Sequence, residues 1–241
     1  MSLRKKLAVA VLAMFSLYQI PALAASDDDV EDLRDAELGA RNEWHLVKND
    51  TKRNIKTYSK QEDGRRVRTF RIDMVVDASM ETVARVHYDA DNLKRWFWET
   101  TDSRLLKKIS PYEFYYYQQF NAPVTMPDRD SVIHAVIQPY SERKGFMVIT
   151  LKAAPDYMPP VKGLVRVTQQ NMTIKLTPMG KEKTHLEVEG YIDPGGISPV
   201  WGINAIQRMA PYSSMMGLQR VVQQAAYRQP TGQAPFAITA D

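Results

Sequence analysis

The chain has 241 residues, 44% of them hydrophobic and 25% charged, with a formal charge of +4 and no cysteine. These values fit a folded globular chain rather than a disordered or collagen-like one. The lack of cysteine excludes disulfide scaffolds, thiolate zinc sites, cysteine nucleophiles and cysteine-linked anchors. The four histidines, His45, His87, His134 and His185, are far apart in sequence. With no short metal-ligand spacing, neither a metal nor a cofactor is expected.

Residues 1–6 (MSLRKK) are basic, residues 7–17 (LAVAVLAMFSL) are apolar, and residues 22–24 (ALA) offer a small-residue cleavage site. This pattern predicts a signal peptide cut after Ala24 and a periplasmic or secreted mature protein. The apolar run is short for a membrane span of about 20 residues. The leader carries three basic residues and no acid, so the remainder has a formal charge of only +1. The positive balance of the whole chain therefore gives no support for nucleic-acid binding.

The next stretch opens with the acidic run Ser26-Asp27-Asp28-Asp29, and residues 30–48 read as a helix, with acids at its start and Lys48 at its end suiting the dipole. Residues 55–59 and 66–76 read as strands. In the second, Phe70, Ile72, Met74 and Val76 alternate with Arg71, Asp73 and Val75. Ser79 is placed to cap a helix reaching about Tyr88, and a short helix is expected over 91–98. From 103 to 193 the pattern is all strand, over 104–108, 112–120, 129–138, 146–153, 164–177 and 184–192. Prolines and glycines punctuate it as in an antiparallel meander. Residues 199–227 read as one long helix with Pro199 in its first turn, and 229–241 as a disordered tail. The organisation is a leader over 1–24, an N-terminal helical segment over 25–42, one domain over 43–228 and the tail. The order of elements predicts an α+β fold, a curved antiparallel sheet wrapped on the long final helix.

Two features bear on a cavity. Ile203, Ile206, Ala210, Ser213, Gly217 and Val221 form one stripe of the final helix, small in its middle and flanked by Met209, Met215 and Met216. Two readings are open: flexible thioethers around small residues leave room for an apolar guest, and small residues also let a helix press closely on a sheet. Pro211 removes a hydrogen bond to the Gln207 carbonyl and predicts a kink. The second feature is Arg129, which shares a strand face with Ser131, Ile133, Ala135 and Ile137. A guanidinium there needs a carboxylate or a ligand oxygen, unless its head reaches water at an edge. Glu113, Asp130 and Glu99 are the internal candidates. The strand over 112–120 (YEFYYYQQF) is aromatic on both faces. It either lines a cavity, with Tyr115 and Tyr117 as candidates, or is ordinary buried sheet.

These residues resemble a known family. Residues 95–99 (RWFWE), the tyrosine-rich strand and residues 123–132 (PVTMPDRDSV) look like the central stretch of StAR-related lipid-transfer (START) domains. Residues 161–166 (VKGLVR) resemble the segment after that family's lid loop, and 193–204 (DPGGISPVWGIN) the approach to its final helix. The resemblance spans roughly residues 43–228. It implies a helix-grip fold enclosing one lipid in a hydrophobic cavity, phospholipid or sterol-like, with Arg129 meeting a head group. Ile206, Met209, Ala210, Ser213, Met216 and Gly217 would line the cavity together with Tyr115 and Tyr117. The lid loop would carry Tyr157, Met158, Pro159 and Pro160 to a transient membrane contact.

The reading that follows is a non-enzymatic lipid-binding or lipid-transfer protein without catalytic residues. The partner is a lipid; no protein partner is indicated. Two alternatives stand beside it. One is a helix-grip enzyme of the aromatase/cyclase or hydrolase type, for which a His134–Asp130 pair is the sequence candidate. The other is a lipid-responsive sensor of the cell envelope.

Overall fold

The computed structural model describes residues 42–122, 126–196, 200–231, 233–234 and 236–239. The expected leader with its cleavage site after Ala24, and the expected N-terminal helix up to residue 41, lie outside them. The strands are β1 (His45–Asp50), β2 (Ile55–Lys60), β3 (Thr69–Val76), β4 (Thr100–Ser110), β5 (Glu113–Phe120), β6 (Arg129–Gln138), β7 (Met147–Ala153), β8 (Val165–Arg166), β9 (Gln169–Pro178) and β10 (Thr184–Asp193). Helix α1 (Met80–Tyr88) and a 3₁₀ segment (Ala90–Arg95) follow β3; α2 (Val200–Val221) and the single turn α3 (Ala225–Arg228) follow β10.

One curved sheet runs in the order β1-β2-β3-β10-β9-β7-β6-β5-β4, with β8 beside the start of β6. Its pairs are antiparallel except β8 on β6. The period-two pattern sets the inner face. Ile72, Met74 and Val76 of β3 face the core beside Leu186 and Val188 of β10, all at most 3% exposed. Gly190 continues that row because nothing larger fits: a β-carbon there would sit 2.7 Å from both Met172 and Phe70. Helix α1 starts where Ser79 Oγ accepts from the Thr82 amide (3.2 Å), and Arg85 reaches back to Glu81 at 2.7 Å.

Four expectations are corrected. The helix expected to reach Lys48 is already strand from His45. Asn42 adopts a positive φ of 71°, which no helix interior tolerates, and β1 pairs with β2. The single strand expected over 164–177 is two, because β8 pairs with β6 whereas β9 lies between β7 and β10. The final helix stops at Val221, and a break separates it from α3. The tail is not disordered throughout. Phe236 is 4% exposed, with its ring 4.4 Å from Phe114 and 5.2 Å from Tyr88. The Ala237 amide donates to the Pro111 carbonyl and the Tyr140 amide to that of Ile238. A single aromatic that completes a cluster outweighs the tail's polar, loop-forming composition.

Candidate functional site

Between the sheet and α2 lies a cavity of about 160 Å³. Its sheet side is apolar, with Phe70 and Ile72 from β3, Ile149 from β7, Met172 and Ile174 from β9 and Val188 from β10. Trp96, Phe97 and Trp98 form a side wall, and α2 closes the space with Ile203, Ile206, Ala210, Pro211 and Met215.

Arg129 stands at one end of this cavity. It is the first residue of β6 and only 3% exposed. Its Nη1 donates to the Pro127 carbonyl and its Nε, at 3.5 Å, to that of Pro194. The Met126 sulfur lies 3.9 Å from Nη2. Burial lowers the guanidinium pKa; Asp128 opposes that shift and Arg66 adds to it. Asn121, a solvent-exposed lining residue, follows Phe120, the cross-strand partner of Arg129, so the mouth lies at this end.

Asp130 points to the opposite face and meets a different arginine. Arg166 grips it with two bonds, Nε to Oδ1 at 2.8 Å and Nη2 to Oδ2 at 2.9 Å. The same guanidinium donates to the carbonyls of Pro155 (2.7 Å), Met158 (3.1 Å) and Pro159 (3.2 Å). Its bond to Asp130 raises the Arg166 pKa. One buried ion pair thus ties loop 154–163 to the outside of β6. Beside it, Tyr157 stacks on Tyr115 (4.2 Å), which stacks on His134 (4.5 Å), whose Nε2 lies 2.6 Å from Glu113.

The START domain family matches residues 27–228. This chain belongs to the START family. It is similar to a STAR-related lipid transfer protein from Xanthomonas axonopodis, at 28% identity and a TM-score of 0.69, over 75% of this chain and 99% of that one. It is 27% identical over 177 residues to an uncharacterized protein of Pseudomonas aeruginosa, covering 73% of this chain and 85% of that protein. Human STARD10 shares the fold with a TM-score of 0.64 at 20% identity, over 81% of this chain and 79% of that one.

Within this START domain the residues expected at the site divide. Arg129, Ile206 and Ala210 line the cavity. Tyr115 and Tyr117 do not, because β5 turns Phe114, Tyr116 and Gln118 inward and these two outward. Tyr117 is buried beneath Arg104, 4.1 Å above its ring. Met209 is 54% exposed. Ser213, Met216 and Gly217 face a separate groove against residues 94–100. The lining follows Ile203, Ile206, Gln207, Ala210, Pro211, Ser214 and Met215 at three- and four-residue steps, so Ser214 and Met215, not Ser213 and Gly217, continue the cavity wall. Of the loop residues, Tyr157, Pro159 and Pro160 are exposed and Met158 is half-buried; none lines the cavity. The His134–Asp130 pair does not form: Asp130 belongs to Arg166, and His134 to Glu113. Among the described residues no group of three or more His, Asp or Glu is placed to hold a metal ion.

The sequence reading missed His87, Trp96, Trp98, Tyr116, Gln118 and Gln207 as lining residues. For Tyr116 and Gln118 a signal existed, since they share strand parity with Phe114. Gln207 has a positioning role: its side chain accepts from the Arg68 amide (3.1 Å) and donates to the Arg68 carbonyl (3.2 Å), fastening the first half of α2 just before β3.

Proposed function

We propose that this START domain is a non-enzymatic carrier that holds one lipid in the cavity beneath α2 and exchanges it with a membrane in the periplasm or outside the cell. The observation that carries the reading is an apolar cavity with a buried guanidinium, Arg129, at its mouth. Each methylene moved from water into such a space contributes about 0.8 kcal/mol. The volume of about 160 Å³ is close to the roughly 150 Å³ of an engineered cavity that holds benzene. A full lipid therefore has to displace the first half of α2 and the flexible side chains of Met126, Met172 and Met215 that line the space.

Arg129 supplies head-group selection. The carbonyls of Pro127 and Pro194 give it neutral acceptors; a phosphate or carboxylate oxygen makes a stronger, charge-assisted bond. Such an anion also reverses the lowered pKa that burial imposes. The exposed Tyr157, Pro159 and Pro160 offer an apolar contact to a membrane surface. The relatedness to a STAR-related lipid transfer protein points the same way.

The test is a native mass spectrum of the protein purified without detergent, followed by lipid extraction and by uptake from phosphatidylglycerol and phosphatidylcholine vesicles. A stoichiometric lipid adduct or uptake is expected. Arg129→Gln is expected to weaken uptake of the anionic lipid about tenfold relative to the neutral one, the scale of one charge-assisted bond. No adduct and no uptake from either vesicle would overturn the reading.

A further inference from the structure

We propose that the groove on the outer side of wall residues 96–98 is a second binding site, which takes a phosphate monoester between Lys94 and Arg95 on one bank and Ser213 and Arg220 on the other. The site lies outside the lipid cavity and goes beyond the carrier reading, on which it does not depend.

The groove measures about 260 Å³ and runs between residues 94–100 and the second half of α2. Lys94 and Arg95 end the 3₁₀ segment, and both are exposed. Ser213, Met216, Gly217 and Arg220, at three- and four-residue steps, present one face of α2 to the groove. The two banks are fixed to each other. Gly217 crosses Trp96 with no room for a β-carbon, and the Ser214 hydroxyl accepts from the Trp98 amide. Arg220 reaches across, its Nη2 3.5 Å from the Arg95 carbonyl. A preformed groove of this kind lowers the ordering cost of binding.

Its cations are unmatched. Lys94, Arg95 and Arg220 line one space, and none of the three forms an ion pair among the described residues. Other arginines on these elements and their neighbours do pair: Arg53 with Asp50, Arg85 with Glu81 and Arg104 with Asp102. The acids nearest Lys94 in sequence are engaged elsewhere. Asp91 accepts from the Leu105 amide at 2.8 Å, and Asp89 accepts from Asn92 and from the Tyr227 hydroxyl. The one carboxylate of the lining, Glu99, accepts from Asn121 Nδ2 at 3.1 Å. The Ser213 hydroxyl has no partner among the described residues.

Three cations, one carboxylate and a free hydroxyl select the guest. A phosphate monoester brings a charge of about −1.5 to −2 and three terminal oxygens. Those oxygens take charge-assisted bonds from the two guanidinium groups and the ammonium, and Ser213 Oγ adds a neutral donor. A phosphodiester brings one charge and two free oxygens and fills the set less well. Because the site is concave, the phosphate has to project from its carrier. Two sources meet that condition, a soluble organic phosphate and a lipid head group that ends in a phosphate monoester. Trp96, Phe97 and Trp98 line both this groove and the lipid cavity, so a bound phosphate braces the cavity's side wall from outside.

The experiment titrates inorganic phosphate, glycerol 3-phosphate and dimethyl phosphate into the full protein at constant ionic strength, following the backbone amide NMR signals of residues 94–100 and 213–220. In parallel the protein is pelleted with phosphatidylcholine vesicles that carry phosphatidic acid or phosphatidylglycerol at equal surface charge. For a soluble source, saturable shifts confined to the two segments are expected, with glycerol 3-phosphate binding about tenfold more tightly than dimethyl phosphate. For a head-group source, phosphatidic acid vesicles are expected to retain more protein than phosphatidylglycerol vesicles. Lys94→Gln and Arg220→Gln change exposed side chains, and each is expected to weaken the response about threefold to tenfold. In Arg129→Gln the response is expected to persist, which separates the groove from the cation at the cavity mouth. Equal responses to the monoester and the diester together with equal retention on both vesicles, or responses unchanged in Lys94→Gln and Arg220→Gln, overturn the site and leave the carrier reading standing.

Discussion

A β-carbon on Gly217 would lie 2.0 Å from the carbonyl oxygen of Trp96 and 2.9 Å from its carbonyl carbon. The second half of α2 therefore crosses the segment behind Trp96 backbone against backbone, and the Ser214 hydroxyl takes the Trp98 amide (3.2 Å) at the same crossing. Gly217→Ala must force the helix off this segment, with an expected loss of at least about 2 kcal/mol. Gly202→Ala is the control. Its β-carbon would meet only the end of Met126, at 3.7 Å, and alanine favours a helix by up to about 1 kcal/mol. Urea unfolding of both variants checks the contrast, and equal midpoints would refute the close crossing.

The pair of Asp130 and Arg166 is nearly dry, with side chains 1% and 9% exposed. Arg166→Met leaves the carboxylate buried and unpaired, at an expected cost of about 3–5 kcal/mol. It also releases three carbonyls of loop 154–163, so amide hydrogen exchange there should quicken beyond the global change. Adding Asp130→Leu to Arg166→Met should recover much of the stability without restoring loop protection. Protection that returns with stability would show that the loop is held by other contacts.

His87 has a pH signature. Burial lowers its pKa from the ordinary 6.5, so the unfolded chain takes up a proton that the folded chain refuses until the pH is lower. The stability tied to its neutral state is complete above 6.5 and is lost as the pH falls from there toward the folded pKa. His87→Leu removes this term. The stability difference between wild type and variant should therefore shift in the variant's favour between about pH 7.5 and pH 5. Parallel curves in denaturant titrations would remove the buried neutral imidazole from consideration.

Asp50 titrates unusually low, at about 2 against an ordinary 3.8, chiefly because the Tyr212 hydroxyl donates to it at 2.6 Å and then because Arg53 does so at 2.9 Å. The folded pKa is depressed, so this link between β1 and α2 is fully in place above 3.8 and fades as the pH falls through 2. In Tyr212→Phe the Asp50 carboxyl, followed by NMR, should titrate closer to 3.8. An unmoved midpoint would assign the shift to Arg53 alone.

What could be read from the sequence was what depends on neighbours in the chain. The alternation Phe70-Ile72-Met74-Val76 announced β3, Ser79 announced the start of α1, and an arginine among Ile133, Ala135 and Ile137 posed the choice between a buried cation and an edge group reaching water. The rest depended on partners remote in sequence. Tyr115, Tyr116 and Tyr117 are chemically alike; parity groups Tyr116 with Phe114, and pairing with His134, Ile133 and Val132 on β6 sets which of the two faces is the inner one. Asp130 and Arg166 come into register only through the two-residue strand β8, too short to carry a pattern. On α2 both Ser213 and Ser214 stand at helical spacing from Ala210, and only the crossing of the second half of the helix over Trp96 decides that Ser214 and Met215 line the cavity while Ser213 and Gly217 do not. Phe236 was discounted because its surroundings read as loop, although its place in the core is reserved by Tyr88 and Phe114.

Phe236 has a consequence for traffic through the molecule. It packs on Tyr88 and Phe114, next in sequence or on the same strand face to His87 and Tyr116, whereas an exposed lining residue, Asn121, stands beside the Arg129 end. Among the described residues, the cavity is thus bounded by a packed aromatic cluster toward one end and by an exposed side chain at the other. On the proposed function, a lipid that enters beside Arg129 comes to rest with its leading end against the wall formed by Trp96, Phe97 and Trp98. Under the proposed carrier function, orientation is settled at loading, and the lipid leaves with its polar head foremost.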